Sequence, residues 1–244
     1  MMAKNYKHII QGYASRLDKA VNYLRNALGD APWIHYLSDA ANDIRTKNNG
    51  VEWTVEVTDM DLPIVGVPMH LKPQSIAEKL KMFVSIKMTC SAKLWEKKED
   101  CITDLCFKVS IQEYDNQDPT NVLQTGFHID RTTDNEKLKH DEMHPLYHLH
   151  FLNESIIGGK ETLSMDIPRL AHHPVDLFLG LMIVFANYDK NTFDTLKDDP
   201  NFSGLCKESA DHYIEPYLRS LSKLPWGDSL KNQYDKDLCP YLAL

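Results

Sequence analysis

The chain has 244 residues, 43% of them apolar and 25% charged, and carries a formal net charge of −8. That balance suits a soluble globular protein able to bury a sizeable core, and it supplies no overall attraction to nucleic acid. The longest apolar run, Leu177 to Ala186, falls short of the roughly 20 residues that a bilayer span needs.

The first seven residues have no apolar signal core behind their lysines. The five cysteines, Cys90, Cys101, Cys106, Cys206 and Cys239, form no CxxC pair, so neither a disulfide framework nor a zinc–cysteine site is signalled. Together these features lead us to expect a cytoplasmic protein with no membrane association. A protein partner stays open, as does a local basic groove for nucleic acid.

Residues 5–28 repeat Ile9, Ile10, Tyr13, Leu17, Ala20, Val21, Leu24 and Leu28 at helical spacing, with Gly29 as the stop. A second helix is predicted from Trp33 to Lys47, ending at the Asn48-Asn49-Gly50 turn. The period then changes to two. Val51, Trp53, Val55 and Val57 alternate with polar residues, as a half-buried strand requires. After a proline-bearing connection, apolar residues fill every even position from Leu80 to Leu94. This predicts a strand over 79–94 with its even side chains buried, followed by a charged hairpin loop at Glu96–Asp100. Three further strands are predicted around Leu105–Ile111, Leu123–Ile129 and Tyr147–Phe151, with a turn at Asp115–Pro119. Helices are expected at Val175–Asn187, at Asn191–Lys197 and at Leu205–Ser222, the last kinked or broken at Pro216. The fold class that follows is α+β, with residues 1–244 as one domain. It comprises a helical part (1–50), a five-stranded antiparallel meander (51–155) and C-terminal helices (165–244) packed on one face.

Seven of the eleven histidines fall between Phe127 and His173. If Phe127 and Ile129 face the core, strand alternation sends His128 and Asp130 to the opposite side. If Tyr147, Leu149 and Phe151 face the core, His148 and His150 go to that same side. Antiparallel pairing then brings Asp130 opposite or diagonal to one of these histidines. Three roles fit Asp130, His148 and His150. They are a three-ligand divalent-metal site with a position left for water, a carboxylate-oriented imidazole working as general acid or base, and a structural hydrogen-bond network. Arg169, between Pro168 and the next helix, suits a phosphate or carboxylate, or an ion pair with Asp166 or Asp176. Gly158-Gly159 lacks the spacing of a phosphate loop and reads as a turn.

The order Asp130, then His144-Pro145, His148 and His150, then Pro168-Arg169, resembles poorly characterised bacterial proteins of mobile elements, including toxin–antitoxin and defence-associated families. That resemblance implies a bacterial cytoplasmic accessory protein. His148 and His150 also match two histidines of the histidine-triad hydrolases, but Leu146 and Leu152 stand where another would be. The element order is similar to a ubiquitin-conjugating-enzyme scaffold, with His144-Pro145 at its His-Pro segment. No cysteine lies between Cys106 and Cys206, so such a scaffold would be inactive as a thioester carrier. Two functions follow as expectations. One is a phosphodiesterase or ribonuclease using Asp130, His148 and His150, with Arg169 as anion holder and a divalent metal as its candidate cofactor. The other is a non-catalytic interaction module whose polar cluster is structural.

Overall fold

The computed structural model describes residues 5–64, 80–114, 122–132, 145–151 and 169–222. The expected turn at 115–119, His140, His144, the Gly158-Gly159 turn, Asp166 and Pro168 lie outside these residues.

Helix α1 (Lys7–Leu28) buries Ile10, Tyr13, Ala14, Arg16, Leu17, Ala20, Val21 and Leu24, the stripe its apolar spacing dictates. It stops at Gly29, whose φ of 80° suits a residue without a Cβ. A 3-10 turn at Pro32–Ile34 opens the second helix, α2 (His35–Lys47).

The sheet is an antiparallel meander in chain order, comprising β1 (Glu52–Leu62), β2 (Leu80–Ser91), β3 (Ile102–Tyr114), β4 (Val122–Arg131), β5 (Tyr147–Phe151) and β6 (Leu170–Ala171). Among the described residues it has six strands where five were expected. The extra one holds two residues, too few to show any period, and is defined only by pairing with His148 and Leu149. Strand β1 outruns its visible alternation because a bulge between Val57 and Met60 inserts a residue, with Asp59 at φ 47°. Met60 and Leu62 thereby return to the buried side.

On β2 the even residues Met82, Val84, Ile86, Met88 and Cys90 are buried, while Lys81 and Lys87 are exposed. The predicted strand ends early. Residues 92–94 belong to a short helix, α3 (Ala92–Lys97), which also replaces part of the expected hairpin loop. Ala-Lys-Leu-Trp-Glu-Lys consists largely of good helix formers. The helical turn carries Trp95 to the rings of Tyr13, Trp53 and Tyr213.

Helices from both ends of the chain meet the apolar sheet face. The rings of Tyr13 (α1) and Trp53 (β1) have centroids 5.6 Å apart. Gly180 lies in α4 (Leu177–Tyr188), where a Cβ would fall 2.3 Å from the Phe107 ring of β3. Only glycine lets the helix approach so closely. Helices α5 (Lys190–Asp198) and α6 (Pro200–Ser209) are capped by Asp189 and Asp199. The last expected helix therefore starts at Pro200 and not at Leu205. Its interruption precedes Pro216 as a π-helical turn, Ala210–Ile214, in which Glu215 N donates to Ala210 O. Helix α7 (Glu215–Ser222) follows. The widened turn accommodates a proline ring that would otherwise meet the carbonyl four residues back. None of the described helices is long and apolar enough to cross a membrane.

Candidate functional site

The face of the sheet turned away from Phe107 and Ile129 carries the polar residues. Register sets them in two rows across β3, β4 and β5. Cys106, Asp130 and His148 are successive cross-strand partners, and Lys108, His128 and His150 form the row beside them. Asp130 is therefore opposite His148 and diagonal to His150, on the shared face that alternation anticipates, although Phe151, expected on the core side, is exposed.

Asp130 bonds along its own strand and diagonally. Its Oδ2 accepts from His128 Nδ1 and from His150 Nε2 at 3.2 Å. The His128 and His150 rings lie 3.3 Å apart between centroids, and His148 and His150 5.4 Å apart. Burial alone would raise the Asp130 carboxyl. Hydrogen bonds from His128 and His150, with the electrostatic pull of His128, outweigh it and hold the group well below the ordinary carboxylate range. Cys106 also bonds to this carboxylate. Partial burial and the Asp130 charge push its thiol up to about 12. It is a protonated donor and not a ready nucleophile.

His148 is held differently. Its Nδ1 donates to Pro145 O at 3.2 Å, and the Thr132 hydroxyl donates to the same carbonyl at 2.9 Å. The Thr132 N–H in turn donates to Leu146 O at 2.8 Å, which pins the start of β5 to the end of β4.

Exposure is uneven within the cluster. His148 is 4% and His128 7% exposed, whereas the side chains of His150 and Asp130 retain 15% and 22% and Cys106 is exposed. Two buried atoms, His128 Nε2 and Asp130 Oδ1, have no hydrogen-bond partner. Among the described residues, Cys106, His128 and Asp130, and again Asp130, His148 and His150, hold candidate metal-ligating atoms within 4.8 Å of one another.

Of the residues nominated from sequence, Asp130, His148 and His150 are brought together. Arg169 directly precedes β6, two residues from Ala171, which pairs with His148. His172 and His173 turn their Nδ1 atoms to neighbouring carbonyls, those of His173 and Pro174. Sequence reasoning did not nominate His128, Cys106 or Thr132. His128 and Thr132 share Asp130's face by parity alone, and Cys106 requires the register of β3 against β4. No family model matches the chain, and no curated protein or solved structure matches it either.

Proposed function

We propose that this chain is a hydrolase of phosphodiester bonds, acting on RNA or a related substrate in an accessory role such as bacterial defence. Asp130, His148 and His150 carry the chemistry, and Arg169 holds the phosphate. The observation that supports this is Asp130 itself, an ionised carboxylate clamped between imidazoles and partly exposed to solvent. Hydrolysis consumes one water. Its oxygen bonds to phosphorus, its proton passes to a cluster base, and the phosphorus–oxygen bond to the leaving group breaks as that oxygen takes a proton. A carboxylate-oriented imidazole suits both transfers near neutral pH.

The test is turnover of bis(p-nitrophenyl) phosphate and of a fluorescent single-stranded RNA, with and without added divalent metal. His150→Ala and Asp130→Asn are expected to lose about 10²-fold or more while staying folded, the scale of a lost acid–base group. Absence of turnover by the wild-type chain on both substrates would remove the proposal. The second reading, a non-catalytic interaction module, is favoured by the near-complete burial of His148 and His128. It expects no turnover and a loss of stability on their removal.

A further inference from the structure

The π-helical turn between α6 and α7 presents two neighbouring rings to one partner. Tyr213, fully buried, meets Trp95 of α3 edge-on, with centroids 5.5 Å apart. His212, half-buried, lies flat on the same indole, 3.8 Å away between centroids and 17° between planes. Trp95 also leans on Tyr13 and Trp53. The stack therefore joins the turn to an aromatic cluster shared by α1, β1 and α3. Single π-turns of this kind are frequent at functional positions in helices.

His212 is the member of this contact that changes charge between about pH 5 and 8. Four charged groups bear on it: Arg16 of α1, Glu208 of α6, Lys98 at the end of α3 and Asp211 of the turn itself. Both carboxylates are already engaged. Glu208 Oε2 lies 3.1 Å from Arg16 Nε, and Asp211 Oδ2 lies 3.1 Å from Lys207 Nζ. Arg16 is fixed in place, donating to Leu205 O and Ser209 Oγ, with its guanidinium 5.9 Å from the Trp95 centroid. An imidazolium over an indole gains some cation–π attraction. Here the guanidinium already draws on that ring and repels a second cation beside it. Partial burial and the Arg16 charge hold His212 below the ordinary imidazole range.

We infer that His212 is an acid-sensitive latch: as a neutral ring it stacks on Trp95 and holds the π-turn closed, and as a cation it leaves the indole and loosens α7 from the sheet. The latch acts on a near neighbour. Tyr217 of α7 packs edge-on against Tyr147 of β5, with centroids 5.3 Å apart, and Tyr147 directly precedes His148. The sign follows from linkage. The folded-state value lies below the unfolded one, so the neutral ring's contribution is complete above the unfolded value, near about pH 6.5. It is lost as pH falls through the folded value. This inference goes beyond the hydrolase reading and does not depend on it.

The experiment uses the full chain labelled with 5-fluorotryptophan, its Trp95 fluorine signal assigned by its absence from Trp95→Phe. Spectra are taken from about pH 8 to pH 5. The Trp95 signal is expected to move in the wild type with a midpoint below about 6.5, and to stay still in His212→Gln and His212→Phe. Hydrogen exchange is read at the same pH values. Amides of residues 210–222 should exchange at least about 3-fold faster in the wild type than in His212→Phe at about pH 5, and equally at about pH 8. His212→Phe keeps a ring for the indole and cannot titrate, so general acid unfolding would appear in it as well. Should His212→Gln fail to fold, His212→Phe carries the comparison. A Trp95 signal that ignores pH in the wild type, or moves equally in the variants, overturns the latch. So does a midpoint above about 6.5. A Trp95 shift with no faster exchange in 210–222 also overturns it, because the stack then holds nothing in place.

Discussion

Asp176 and Asp130 are two carboxylates at sites with opposite habits. Asp176 is fully buried and divides its load. Oδ1 caps α4 by accepting from Leu179 N at 3.0 Å, and Oδ2 accepts from the Ser209 hydroxyl at 2.5 Å. Ser209 in turn accepts from Arg16 Nη2 at 2.9 Å, so one chain of bonds joins α1, α6 and the start of α4. Asp130 crowds both imidazoles onto one oxygen and leaves the other without a donor. The first arrangement is complete at the carboxylate and ties distant segments together. The second has spare coordination, lies within neighbouring strands and opens toward solvent. The Asp176 carboxylate ties helices together through both oxygens, while Asp130 keeps one oxygen without a donor.

The comparison breaks most visibly at Arg16. Its side chain is buried, donates to Leu205 O as well as to Ser209, and lies within 6 Å of the ring centroids of Tyr13, Trp95 and Phe178. Replacement by alanine strands Asp176 without its cation. Arg16→Ala is expected to cost about 3–5 kcal/mol, read from urea midpoints by circular dichroism. A loss below about 1 kcal/mol would show that the Arg16–Ser209–Asp176 chain does not hold the helices together.

An intermediate effect is expected at the buried His148. His148→Ala removes a ring that is 4% exposed and bonded to Pro145 O, at a cost of about 1–3 kcal/mol. His150 is less buried, and its removal should cost less than about 1 kcal/mol. Equal losses at the two positions would mean that the cluster is one structural network.

Much of this could be read in the sequence because the fold's strongest signals are periodic. The even-numbered apolar residues of β2 identified its buried face, and the same alternation put Asp130, His148 and His150 on one side of the sheet. What could not be read depends on other physics. Register follows from loop geometry, so the Cys106–Asp130 row was invisible. Strand β6 is too short to carry a period. The change from strand to helix at Ala92 keeps a pattern that both structures tolerate over three residues. Thr132 acts through a single hydroxyl bonded to a backbone carbonyl, and no spacing rule announces that. Nor did the sequence distinguish the satisfied carboxylate from the unsatisfied one, since Asp176 had been considered only as a partner for Arg169.

The smallest expected effect is a difference in pH slope, and it has opposite signs at the two carboxylates. Burial raises Asp176, with Arg16 and its hydrogen bonds opposing. Its folded-state value lies above the unfolded one. Its protonation therefore adds stability that is fully present below the unfolded value and is lost as pH rises through the folded one. Asp130 is lowered in spite of burial, through His128 and His150. Its contribution is present above the unfolded value, near pH 4, and is lost as pH falls toward the folded one. Urea midpoints for wild type, Asp130→Asn and Asp176→Asn at several pH values from 7 down to 3 compare the two. The gap between wild type and Asp130→Asn should narrow on acidification, while the gap to Asp176→Asn should widen. Parallel trends for the two variants would show that the carboxylates share one kind of environment and that the distinction drawn from their oxygen partners is wrong.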